Sequence, residues 1–142
     1  MGTRSTTKIY EDFGDNSGEH LLLSLYKQFD GYIDGGWGDE LKKFFNSGKL
    51  VNGISLENNE RIFNGAGDFA LQLVTEYKDG AGGLYATFET DSQEYNYKIV
   101  FKHVKIPEED EKLEKYEQHV IFTCEEEPKY EKEFIVKSPY WW

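Results

Sequence analysis

Leu25-Tyr26-Lys27-Gln28-Phe29-Asp30-Gly31-Tyr32-Ile33-Asp34-Gly35-Gly36-Trp37-Gly38 is the stretch from which the rest of the chain is read. Its first half alternates like a half-buried strand, with Tyr26, Gln28 and Asp30 on one side. Its second half is rich in glycine, carries Tyr32 and Trp37, and ends where Leu41, Phe44 and Phe45 recur at helical spacing. Polar and aromatic groups converging beside a pliant backbone make the loop a candidate ligand contact. A plain turn into the helix is the competing reading. Asp30, Asp34 and Gly35 echo a calcium loop, but Tyr32 stands where a second oxygen ligand is needed and Leu41 where a bidentate Glu is needed. The glycine spacing is not that of a dinucleotide-binding turn either.

Working outward, residues 3–10 are β-branched and alternate as a first strand, 11–19 form a turn-rich loop, and 20–29 form a second strand. Leu21, Leu23, Leu25 and Phe29 fall on one face of that second strand. If the two strands pair as a hairpin, Arg4, Thr6 and Lys8 share the face of Ser24, Tyr26 and Gln28, and a one-residue slip would separate them. Helices are predicted over 39–47 and 67–78, the latter carrying Ala70, Leu73, Val74 and Tyr77 and stopped by Gly80. An Asn- and Gly-rich connection over 48–65 joins them. Residues 83–90 and 95–103 read as an antiparallel hairpin around Asp91-Ser92-Gln93-Glu94, with Tyr95, Tyr97, Ile99 and Phe101 alternating. Pro107 followed by acids reads as a third helix start, and 119–124 and 130–137 as two last strands. The order predicts an α+β fold, a largely antiparallel sheet with two or three helices on one face. A length of 142 residues fits a single domain over 1–142, with a core over 1–105 and an acidic, β-rich extension over 106–142.

The net charge is −11, from 27 acids and 16 bases, and residues 107–133 alone hold eleven acids against four bases. Phosphate neutralisation drives nucleic-acid binding, so this balance argues against direct nucleic-acid contact. It leaves room for a local cationic pocket, for an acidic face that docks on a basic partner, or for charge that serves solubility alone. No run of 18 apolar residues is present, so no membrane span is expected, and the N-terminus lacks a basic-then-apolar signal pattern. One cysteine, Cys124, rules out a disulfide framework and any cluster of Cys ligands, and a cytosolic location follows as the expectation. Cys124 lies in an alternating pattern and reads as a buried small hydrophobe. His20, His103 and His119 have no metal-ligand spacing, so neither metal nor cofactor is expected.

Two further segments carry open alternatives. Asn64-Gly65-Ala66-Gly67-Asp68 opens the second helix, where free N–H groups favour anions, or where Asp68 simply occupies the first turn. Arg4 and Arg61 are the only arginines, each suited to phosphate or to an ordinary ion pair. The Tyr140-Trp141-Trp142 end is too apolar to favour water, and a homo-oligomer contact through it is a further expectation.

The opening Met1-Gly2-Thr3-Arg4-Ser5-x-Thr7 and Tyr26-Lys27-Gln28-Phe29-Asp30-Gly31-Tyr32 resemble a family of small phage, prophage and bacterial proteins. Its members pair such a start with a Tyr-Arg-Gln-Phe/Tyr-Asp-Gly-Tyr-Pro motif and a Gly/His-rich turn. Leu50-Val51-Asn52-Gly53, Asn64-Gly65-x-Gly67, Ala70-Leu71-Gln72-Leu73-Val74, Lys78-Asp79-Gly80-Ala81-Gly82-Gly83-Leu84-Tyr85 and Glu94-Tyr95-Asn96-Tyr97 also look like family segments, so the resemblance covers about residues 1–100. Lys27 stands where the family has Arg, Ile33 where it has Pro, and Asp34-Gly35-Gly36-Trp37-Gly38 where it has the Gly/His turn. The phage association points to counter-defence in the host bacterial cytosol. The first expectation is a sponge that holds a nucleotide-derived immune signal, of cyclic nucleotide or cyclic ADP-ribose type, without chemistry. Tyr26, Tyr32, Trp37, Tyr85, Tyr95 and Tyr97 would face bases, Arg4, Lys8, Lys27 and Arg61 would meet phosphates, and Gln28 and Asp30 would take ribose or base edges. The alternative is an anti-CRISPR or anti-restriction inhibitor whose Glu108, Glu109, Asp110 and Glu111 occupy the groove of a basic host defence protein. A small nucleotide hydrolase using the same pocket is the second alternative.

Overall fold

The computed structural model describes residues 2–51, 61–106 and 115–137. In chain order its elements are β1 (Ser5–Asp12), β2 (Glu19–Lys27), helix α1 (Trp37–Asn46), β3 (Lys49–Val51), β4 (Ile62–Asn64), helix α2 (Gly65–Tyr77), β5 (Leu84–Ala86), β6 (Tyr95–Ile106), β7 (Lys115–Cys124), a single 3₁₀ turn (Pro128–Tyr130) and β8 (Lys132–Lys137). Six strands form one sheet in the order β5-β2-β1-β6-β7-β8, and β3 and β4 form a small parallel pair. The fold is α+β, with a mostly antiparallel main sheet interrupted by one parallel pairing, β1 with β6. The third helix start read at Pro107 and the aromatic tail at 140–142 lie outside the described residues, as do Glu108, Glu109, Asp110 and Glu111.

The β1–β2 hairpin has the register that unites the candidate residues: Thr6 opposes Tyr26 and Lys8 opposes Ser24. A bulge between Ile9 and Tyr10 then corrects the leucine face. Ile9 opposes Leu23 but Tyr10 opposes Leu21, so the extra residue turns Leu21 away from Leu23 and Leu25. Leu25 is buried, whereas Leu21 and Leu22 stay exposed. Phe29 falls beyond the strand end and is exposed as well.

The hairpin read over 83–90 and 95–103 does not form. β5 keeps only three residues and pairs with β2, Tyr85 opposite Tyr26, while β6 pairs with β1 on one side and β7 on the other. Residues 87–94 instead cross from the β5 edge over β2 and β1. Ser24 Oγ donates to Phe88 O (3.2 Å) and Lys8 Nζ to Asp91 O (2.6 Å) along the way. Alternation alone cannot name a strand's partner, because Tyr97, Ile99 and Phe101 are buried equally well beside β1.

The core is aromatic. Phe45 of α1 meets Phe101 (6.4 Å), Phe122 (5.6 Å) and Phe134 (5.0 Å), and Phe69 of α2 meets Phe63 (5.0 Å) and Phe101 (5.2 Å). Leu41, Phe44, Phe45, Ala70 and Leu73 are buried as their spacing implies. Each ring buried this way contributes about 1.5–3 kcal/mol from water exclusion, with edge-to-face geometry adding to it. Both helices begin two residues before the reading, because Gly38, Gly65 and Gly67 wind into the first turns.

Candidate functional site

The glycine loop after β2 is built as a structural joint. Asp30 takes φ +58 and its carbonyl accepts the Trp37 N–H at 2.7 Å, which folds the chain back into α1. Asp39 Oδ2 accepts the Gly35 N–H at 2.8 Å and so closes the helix start. Two buried phenols clamp the loop from the sheet and from the 3₁₀ turn: Tyr97 donates to Gly31 O and Tyr130 to Gly38 O, both at 2.6 Å. Burial drives both phenols far above their ordinary range, so they remain protonated donors. A Cβ on Gly31 would sit 2.7 Å from Ser5 Cβ, and one on Gly36 only 2.4 Å from Tyr32 O. These contacts favour the plain-turn reading over a ligand-cradling loop.

The same contacts place two of the expected ligand residues in the core. Trp37 is 1% exposed, donates from Nε1 to Thr7 Oγ1 at 2.7 Å, and lies edge-on to Tyr77 at 5.0 Å. Tyr97 is equally buried. Neither presents a face on which a base can stack. Lys27 holds its ammonium 5.2 Å from the Trp37 ring centre. Arg61 is engaged elsewhere: it pairs with Glu76 at 3.3 Å and lies over Phe44, the ordinary ion-pair outcome. The α2 start is likewise closed from within, because Asp68 Oδ2 accepts the Asn64 N–H (2.8 Å) and Gln72 Nε2 (2.9 Å).

What remains of the constellation separates into two surfaces. On the first, register brings Tyr26 and Tyr85 opposite one another, their rings 5.9 Å apart and tilted by 50°. Tyr26 OH donates to Gln28 Oε1, and Arg4, exposed, lies one residue beyond the Ser5–Lys27 pair on the β1 side. Lys78 holds its ammonium 5.2 Å from the Tyr85 ring centre while donating to Leu84 O at 2.8 Å. Lys78 escaped the sequence reading, since nothing in its helix-end position announces a contact with a strand aromatic. Lys8 belongs to the same row but spends its ammonium on the crossing segment. That segment is fixed further by Asn96, whose Oδ1 accepts from Thr6 Oγ1 (2.7 Å) and from Gln93 N–H (3.0 Å).

The second surface is an open cleft of about 830 Å³ between the glycine loop, α1 and the 3₁₀ turn. Tyr32 and Tyr95 line it with Tyr130, Lys42 and Lys129, and five carboxylates ring it: Asp34, Asp39, Glu94, Glu126 and Glu127. Tyr32 OH reaches Asp30 Oδ1 at 3.5 Å. Glu126 is engaged by the Asn96 N–H (2.6 Å) and Nδ2 (2.9 Å). Lys42 lies 3.7 Å from the Tyr130 ring centre, and burial lowers its pKa. The surroundings are therefore anionic, and a phosphate would meet repulsion there.

Cys124 is buried, and burial raises its thiol pKa, which holds it in the thiol form. Among the described residues, no group of three or more His, Cys, Asp and Glu side chains is placed to hold a metal ion. Among the same residues, no helix is long and apolar enough to cross a membrane. No protein-family model, no curated protein and no solved structure matches this chain.

Proposed function

We propose that the chain is a counter-defence binding protein that sequesters an anionic, nucleotide-like signal on the Tyr26–Tyr85 surface and leaves it chemically intact. The observation that carries this reading is the cross-strand tyrosine pair beside Gln28 and Arg4, with the Lys78 ammonium against Tyr85. Two ring faces suit a base, an amide suits a base or ribose edge, and cations suit phosphate. We take both helices to lie on the opposite face of the sheet, because Trp37 bonds Thr7 and Phe45 and Phe69 meet Phe101. Thr7 and Phe101 alternate with Thr6 and Val100 along their strands, so Tyr26 and Tyr85 stay clear of the helices. A cytosolic setting in an infected bacterium fits such a ligand. Calorimetry with cyclic ADP-ribose and with cyclic dinucleotides tests it: heat is expected from one class, and Tyr85→Ala and Arg4→Ala should each weaken binding about tenfold or more. Absence of heat from every compound, or return of a cleaved ligand, would overturn it.

A second reading is favoured by the acidic cleft. Its carboxylates beside Tyr32 and Tyr95 suit a Lys or Arg side chain of a basic host protein, by ion pairing and cation–π contact. Asp34→Asn with Glu94→Gln and Glu127→Gln should then abolish capture of that partner, while nucleotide binding on the tyrosine surface is unchanged.

A further inference from the structure

We propose that β8 is a self-complementary edge through which two copies of the chain join their sheets. β8 ends the six-strand order and pairs with β7 on one side alone among the described residues. Its six residues, Lys132-Glu133-Phe134-Ile135-Val136-Lys137, make a longer edge than the three of β5 at the far end. An open edge of this kind is a template for another strand unless something guards it.

The strand itself selects the occupant and the register. An antiparallel two-fold centred on Ile135 sets that residue against the partner's Ile135, Glu133 against the partner's Lys137, and Phe134 against the partner's Val136. Opposite residues share a face in an antiparallel pair, so the two Glu–Lys pairs flank the isoleucine pair on one side of the sheet. Phe134 and Val136, half-buried against the core cluster, meet on the other. Centring on Phe134 instead would set Glu133 against the partner's Ile135 and Lys132 against the partner's Val136. Centring on Val136 would set Lys137 against the partner's Ile135, so neither neighbouring register pairs opposite charges. The charge pattern of the strand thus favours the register centred on Ile135.

Exposure agrees with this use. Ile135 is 54% exposed, opposite His119 and between the charged Glu133 and Lys137. Glu133 presents Oε1 to His119 Nδ1, and among the described residues Oε2 is left for a lysine. Lys137 lies 4.0 Å from Glu117, and its side chain is 76% exposed. The contact is isologous and closes at two copies, with two six-stranded sheets running on as one.

Sedimentation velocity on the full chain, from about 1 to 100 µM, tests the proposal. A reversible dimer is expected. Glu133→Lys and Lys137→Glu should each weaken it about tenfold or more by creating like-charge pairs, and the double exchange should restore it. Ile135→Lys, at an exposed position, should also leave a monomer with unchanged thermal unfolding. A wild-type monomer throughout, a dimer that survives Ile135→Lys, or a double exchange that fails to restore pairing would each overturn the proposal.

Discussion

Single hydroxyls and single ring nitrogens decide much in this protein. Tyr97 and Tyr130, their rings 5.3 Å apart and edge-to-face, hold the Gly31 and Gly38 carbonyls of the glycine loop, and both phenols are buried. Tyr97→Phe or Tyr130→Phe keeps the ring but removes a buried hydrogen bond, so each should cost about 1 kcal/mol in urea unfolding. His119 lies between Glu133 at Nδ1 (2.5 Å) and Glu117 at Nε2 (2.9 Å). Burial acts to lower its pKa, but the hydrogen bonds to Glu133 and Glu117 and their charges outweigh it, and the net shift is upward. A raised histidine stabilises the fold fully below its unfolded value of about 6.5 and loses that contribution as pH climbs through the folded value. The stability gap between wild type and His119→Gln should accordingly be larger at about pH 5.5 than at about pH 8.5. Urea midpoints at the two pH values check this, and an equal gap at both would refute it.

At the scale of elements, glycines divide by what a methyl group would meet. Gly31 is closed in by Ser5 Cβ at 2.7 Å and Thr3 O at 2.9 Å, and one of these is backbone that cannot yield cheaply. Gly31→Ala should destabilise by about 1–3 kcal/mol through overpacking. Gly67 sits in α2 with nothing within 4 Å and no positive φ. Gly67→Ala should stabilise by about 0.5–1 kcal/mol, since alanine loses less backbone entropy in a helix. Thermal melts of the two variants should move in opposite directions. The contrast also explains why this composition misleads: glycines serve a tight joint at 31–38 and, at 65 and 67, a helix start where a Cβ would meet open space.

For the whole molecule, the sheet separates residues that stabilise from residues left available. Tyr85 is half-exposed and Tyr97 buried, although both are tyrosines on strands of one sheet. Tyr85→Ala should change folding stability by no more than about 0.5 kcal/mol, while Tyr97→Ala should cost about 3–5 kcal/mol. Chemical denaturation of both variants measures the difference. Local periodicity was enough for β1 and β2 as strands, the two described helices and the α+β class, because side-chain spacing follows from backbone geometry alone. The hairpin register and its bulge were left open by alternation. Sequence also sufficed for the acidic balance and for the buried character of Cys124, which depend on composition and alternation. Tertiary structure alone decided that β6 lies between β1 and β7, that the segment over 87–94 crosses the sheet, and that Trp37 and Tyr97 turn inward while Tyr26 and Tyr85 face outward. A strand's alternation fixes two faces but carries no label for its neighbour. Which aromatic ring enters the core is set by the helices and strands that close over it, contacts that span the chain and leave no mark in local spacing.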